Sequence, residues 1–181
     1  NNDFLEGVTG LDITIDNLRG NVLIQNGILK LSNGTLGIIG ATAKMDAMYK
    51  NEGTQKAYFD YKINASEFDI KRAYNEIKMF REIVTAAESA EGIVGLNYSI
   101  KGVLNNQMEP IMPSLEGSGI LSVKKVKMKG FKLLNVVSSK TENPDIKDPD
   151  ISKVDIKTTI KNNIVTIERF KFKVAGFRLR F

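Results

Sequence analysis

The sequence predicts an α+β fold: a mostly antiparallel, strongly twisted β-sheet of repeated hairpins with two inserted helices, at about residues 67–90 and 129–140. Three observations carry this expectation. Two hairpins turn on asparagine, the hairpin pattern recurs near both ends of the chain, and one central stretch carries apolar residues at helical spacing.

In the first hairpin, Val22-Leu23-Ile24-Gln25 and Ile28-Leu29-Lys30-Leu31 flank Asn26-Gly27, the pair that best fits a type I′ turn. In the second, Lys157-Thr158-Thr159-Ile160-Lys161 and Ile164-Val165-Thr166-Ile167 flank Asn162-Asn163. Asparagine tolerates positive φ and serves the same turn. At a constant offset Leu18 matches Val154, Ile24 matches Ile160, Asn26 matches Asn162, Leu36 matches Phe172, Ile38 matches Val174 and Gly40 matches Gly176. We read the chain, residues 1–181, as a single domain with an internal β repeat, about 18–45 and 154–181, flanking a helix-containing middle.

The remaining early strands, Leu11–Ile15 and Ala57–Ile63, are expected to pair in the same sheet. Ile70, Ala73, Tyr74, Ile77, Phe80, Val84 and Ala87 then follow helical spacing. Ser66 with Asp69 resembles a capping box, and Glu91-Gly92 supplies a stop, which gives the helix at 67–90. Strands are expected at Ile93–Leu104 and Gly119–Met128, joined through Pro110 and Pro113. A second helix holds Phe131, Leu133, Leu134 and Val137, and Thr141–Asp150 with its two prolines reads as a loop.

The C-terminal run from Arg169 to Phe181 is the most informative stretch. Phe170, Phe172 and Val174 share one face of a strand, against Arg169, Lys171 and Lys173 on the other. The parity flips at Ala175-Gly176, after which Phe177, Leu179 and Phe181 carry the apolar face. A bulge or tight turn is required there, and the first copy has the same device at Ile39-Gly40. Such a face serves equally as ordinary core under the helices or as an apolar groove for acyl chains, with cations outside.

Composition removes several chemistries. The chain has no Cys and no His, hence no thiolate nucleophile, no disulfide and no imidazole base or metal ligand. Ser122 and Lys125 form a Ser-x-x-Lys on a strand, without the helix start and companion motifs that give that spacing its chemistry. Gly34, Gly37 and Gly40 lack the Lys-Ser/Thr of a phosphate loop. The acidic stretch Glu142, Asp145, Asp148, Asp150 does not follow a calcium-loop spacing. No enzyme, cofactor or metal is expected. The net charge of +5 gathers partly in Lys124, Lys125, Lys127, Lys129 and Lys132, with no aromatic residue among them before Phe131. That pattern suits a solvated strand face better than a nucleic-acid track. Three Asn-x-Ser/Thr sequons occur, at Asn33, Asn64 and Asn97.

The order of these pieces resembles the C-terminal region of AsmA-like proteins of bacteria with two membranes. The residues that carry the resemblance are the Asn26–Leu31 hairpin leading to Leu36-Gly-Ile-Ile-Gly40, a strand with Met45, and Phe68-Asp69-Ile70 opening a helix. Ala90-Glu91-Gly92, the segment Met108–Gly119 and the closing Asn162–Phe181 copy complete it. The resemblance implies a non-enzymatic periplasmic segment whose parent is anchored in the inner membrane. It further implies a role in outer-membrane biogenesis or lipid transport through a hydrophobic β groove. The groove-lining positions it implies are Leu29, Leu31, Leu36, Ile38, Phe170, Phe172, Val174, Phe177, Leu179 and Phe181. Phospholipid or another acyl-chain lipid and envelope proteins are the expected partners. A structural or protein-interaction module without lipid is the alternative. The start at Asn1 and the end at Phe181, inside an amphipathic run, lead us to expect a segment of a longer protein.

Overall fold

The Asn26-Gly27 turn, with φ of 53° and 73°, closes the hairpin of β1 (Ile15–Gln25) and β2 (Ile28–Ile38). From there the chain runs back and forth. The strands β3 (Ala41–Asn51), β4 (Ala57–Asp69), β5 (Ala90–Leu104), β6 (Glu116–Met128), β7 (Asp150–Lys161) and β8 (Ile164–Ile167) follow. The computed structural model describes residues 15–53, 56–128, 150–168, 171–174 and 177–180. Among these, β1 to β8 form one eight-stranded sheet in sequence order, every neighbour antiparallel. A separate pair joins β9 (Lys171–Val174) to β10 (Phe177–Arg180). The molecule is mostly β, an open antiparallel sheet with two short helices.

Those helices differ from the single helix expected at 67–90. β4 runs on through Phe68, which pairs with Val94, and a bulge after Ala65 keeps Phe68 on the apolar side. Helix α1 (Ile70–Glu76) then starts on Asp69, not Ser66. The Asp69 carboxylate accepts from the Arg72 backbone N–H at 2.8 Å. The chain breaks at Ile77 (φ −110°, ψ 103°) before α2 (Lys78–Ile83) and a 3-10 turn at Thr85–Ser89. Arg81 compensates for that break: its guanidinium donates to the carbonyls of Tyr74 and Asn75 at 3.2 and 3.1 Å. Helices this short hold only through packing, here Ile70 and Ala73 buried on the sheet and Phe80 meeting Phe68 edge-on at 6.0 Å. Gly92 is not a helix stop; it lies inside β5 with φ 139°, where a Cβ would run into the Lys125 carbonyl. The helix expected at 129–140 and the loop from Thr141 lie outside the described residues, apart from Asp150, which opens β7.

Three other features bear on the expected strands. At Ile39-Gly40 the parity flip is a tight turn between β2 and β3, with φ of 48° and 74°. β9 and β10 pair antiparallel with Val174 opposite Phe177, and Ala175-Gly176, where the second parity flip is expected, lies outside the described residues. Of the strand expected at Leu11–Ile15, only Ile15 is described; it pairs with Ile38.

The two asparagine hairpins share one register. Ile24 faces Leu29 and Val22 faces Leu31; 136 residues on, Ile160 faces Val165 and Thr158 faces Ile167. The same offset relates Ile38↔Ala41 to Val174↔Phe177 and Thr35↔Lys44 to Lys171↔Arg180. Backbone conformation follows suit. Asn17 (φ 52°) corresponds to Lys153 (φ 54°), Asn26 (53°) to Asn162 (52°) and Gly27 (73°) to Asn163 (61°).

Candidate functional site

One row of side chains crosses all eight strands. Its Cα partners are Val22, Leu31, Ala47, Tyr61, Ile100, Gly117, Ile160 and Val165, one from each of β1 to β8. Antiparallel partners share a face, so this row samples the apolar side of the sheet from edge to edge. Its centre is closed: Tyr61 and Ile100 are buried. Both ends are open, with Val22 56% and Val165 40% exposed. Ile24 on β1 and Ile167 on β8 extend these open ends on the same face.

Two covers close the centre. At one end of the strands α1, α2 and the 3-10 turn lie on Phe68, Val94 and Ala90. At the other, the β5–β6 connection folds over Phe59 and Gly102. Asn105 organises this connection, its side-chain oxygen accepting from the N–H groups of Gln107 and Glu109 at 2.9 Å each. Ser114 pins it to the end of β5: its hydroxyl accepts from Val103 N–H at 2.9 Å and donates to the Ile111 carbonyl at 2.7 Å. Leu115 is thereby held fully buried against Gly102, where an added Cβ would stand 2.8 Å from a Leu115 methyl. The Tyr49 hydroxyl reaches Met108 Sδ at 3.7 Å from below.

Against this geometry the expected groove residues separate. Leu31 and Leu36 are buried within the core, and Leu29 and Ile38 are half-buried at its margin. All four share the apolar face because a bulge between Leu31 and Gly34, with Asn33 at φ 52°, resets the parity of β2. Phe172 pairs with Leu179 and Val174 with Phe177 between β9 and β10. Phe170 and Phe181 lie outside the described residues. Sequence reasoning passed over the exposed positions on this apolar face, Val22, Ile24, Val165 and Ile167; as the hairpin partners of Leu31, Leu29, Ile160 and Thr158 they could have been found by writing out the register.

The opposite face is polar. Lys101 and Glu116 pair across β5 and β6 at 3.2 Å, and Ser122 Oγ donates to Asp155 at 2.7 Å, which ties up the hydroxyl of the Ser-x-x-Lys. Lys127 stands in register between Glu91 and Asp150. A hollow of about 540 Å³ opens on this face, lined among others by Asn33, Lys44, Asp46, Lys62, Asn64 and Asn97, so all three sequon asparagines border it. The Asp46 carboxylate accepts from Asn33 N–H at 2.8 Å.

Among the described residues there is no group of three or more Asp or Glu placed to hold a metal ion, and no helix is long and apolar enough to cross a membrane. No family model, curated protein or solved structure matches the chain.

Proposed function

We propose that the chain is a non-enzymatic, periplasmic segment of an AsmA-like protein, with its parent anchored in the inner membrane, and that it takes part in outer-membrane biogenesis or lipid transport. The acyl chains of a phospholipid would lie on the apolar face of the sheet. On this reading the α+β description stands, with repeated hairpins around a helical insertion. The observation that supports the reading is the row that is buried in its middle and open at both ends, at Val22 and Val165. Isolated exposed apolar residues are ordinary, but Val22 with Ile24 and Val165 with Ile167 continue a core face outward. Native mass spectrometry of the protein purified from membranes, or after incubation with phosphatidylethanolamine vesicles, tests it. Retained phospholipid that disappears in Val22→Asp with Val165→Asp supports the reading, and a lipid-free spectrum in both preparations sinks it.

A second reading, a scaffold module that binds envelope proteins and no lipid, has its own support. Leu104 and Leu115 are fully buried, so the middle of the apolar face is occupied by the chain itself. On that reading purification yields a stoichiometric protein partner and no lipid.

A further inference from the structure

We propose that the outer edge of β1, which no strand among the described residues pairs with, is a docking site for an extended polypeptide strand of the β6 type, which adds to the sheet antiparallel to β1 as β6 adds to β7. This goes beyond the lipid reading. That reading concerns side chains on one face, whereas the docking site consists of backbone groups along an edge.

Three observations carry it. Val22, Leu23 and Ile24 are 56%, 56% and 68% exposed, three apolar residues in succession. Alternation sends Leu23 to the polar face, so no single apolar face accounts for the run. The segment Asn21–Gln25 is uncharged and exposed, and such an edge segment with a branched apolar run is a template for another strand.

The second observation is what stands at the same place in the other hairpin. β7 has the register of β1 in its own hairpin and the same left-handed residue, Lys153 for Asn17. Its far edge is occupied by β6, whose Gly117, Gly119 and Leu121 pair with Ile160, Thr158 and Ile156. Ile160 is 4% exposed where Ile24 is 68% exposed. The pairing continues past Lys153 to Lys125↔Ser152, so the left-handed residue does not stop it. An incoming strand with small residues opposite Ile24 and Val22 meets the same geometry.

The third is the direction of the backbone groups. In a two-residue hairpin the closing pair, Gln25↔Ile28, exchanges its hydrogen bonds, so Gln25, Leu23 and Asn21 face β2. The Glu168 N–H donating to the Lys157 carbonyl at 2.9 Å shows the same parity in β7. Val22 and Ile24 therefore aim their N–H and C=O groups away from β2, along the outer edge.

A second copy docking β1 against β1 is the weaker occupant, because it lacks the small residues that β6 sets, as Gly117 and Gly119, opposite Ile160 and Thr158.

The test uses the whole chain and a synthetic peptide with the β6 sequence, Glu116–Met128. Expected is saturable binding that slows amide exchange at Val22 and Ile24, weakened about tenfold or more in Ile24→Pro, which removes an outward N–H and none of the β1–β2 bonds. The same peptide N-methylated at Gly119 keeps the wild-type chain as the target and should also lose about tenfold, so the test does not depend on the folding of the proline variant. Unchanged exchange at Val22 and Ile24 overturns the proposal. So does equal binding of the methylated peptide, and so does protection that appears without peptide as the chain self-associates. Lipid retention is read separately, and its loss leaves this outcome untouched.

Discussion

The Tyr98 hydroxyl meets the Thr158 hydroxyl at 3.0 Å across β6, a strand to which neither belongs. Gly119 makes the crossing feasible. It is the Cα partner of Tyr98 on one side and of Thr158 on the other, and its missing side chain leaves room for the ring. A Cβ there would collide with Tyr98 Cδ2 and with the Asn97 carbonyl. Gly117, beside Ile100 and the far side of the same ring, extends the cleared strip. We expect Gly119→Ala to destabilise the fold by about 1–3 kcal/mol through overpacking, and Tyr98→Phe by about 1 kcal/mol through the lost hydrogen bond. Urea denaturation of both variants checks the order; Tyr98→Phe as costly as Gly119→Ala would refute the steric account.

Leu115 tests the cover over the sheet centre. It is wholly buried and packs against Gly102 of β5, and Ser114 fixes the backbone that carries it. Truncation to alanine should therefore leave a cavity and cost about 2–5 kcal/mol. A midpoint of urea denaturation within error of the parent would mean that the 105–115 connection peels off the sheet without consequence.

Much of this arrangement is legible in the sequence where a residue type has one strong local meaning. Asn26-Gly27 and Asn162-Asn163 name their turns, and the alternation of Phe59, Tyr61 and Ile63 names a strand. The failures have a common cause: local pattern was overruled by pairing. Helical spacing from Ile70 to Ala87 is real, yet Phe68 gains more by pairing with Val94, and the chain bends at Ile77 to follow the sheet. The bulge at Asn33 is signalled only by an Asn-Gly pair inside a strand, and nothing marks Lys153 as left-handed, whereas the parity flip at Ile39-Gly40 does call for a turn. For the candidate site, Leu31 and Leu36 belong to the apolar face as expected, but Leu36 is buried in a core assembled from distant parts of the chain, and the Leu31 side chain lies close against Gly20 and Gly34.

Tyr61 makes the fold sensitive to alkali. Burial at the centre of the row pushes its phenol well above the ordinary value of 10.0, with Tyr49 adding to the shift. Burial raises Tyr98 as well, opposed by its hydrogen bond to Thr158. The raised folded value means that stability is complete below the ordinary tyrosine pKa. Above it the unfolded chain ionises first, and stability falls as pH climbs toward the folded value. Denaturation midpoints should hold from neutral pH to about 10 and then decline. Tyr61→Phe should flatten that decline; an unchanged slope in the variant would remove Tyr61 as its source.

Lys153 offers a gain of stability instead of a loss. It occupies φ 54° within β7, a region where an L-residue with a long side chain is strained by about 1–2 kcal/mol. The corresponding position in the first hairpin holds Asn17 at φ 52°, and asparagine visits this region readily. Lys153 is exposed, so replacing it removes no core contact. Lys153→Asn should stabilise the protein by about 0.5–1 kcal/mol, and Lys153→Gly by less, because glycine also adds freedom to the unfolded chain. Lys153→Val, a branched residue at the same angle, should destabilise it. Chemical denaturation of the three variants under one condition gives the ranking Asn, Gly, parent, Val. If the asparagine variant is no more stable than the parent, the left-handed backbone at this position carries no strain, and the likeness between Asn17 and Lys153 is one of shape without energetic consequence.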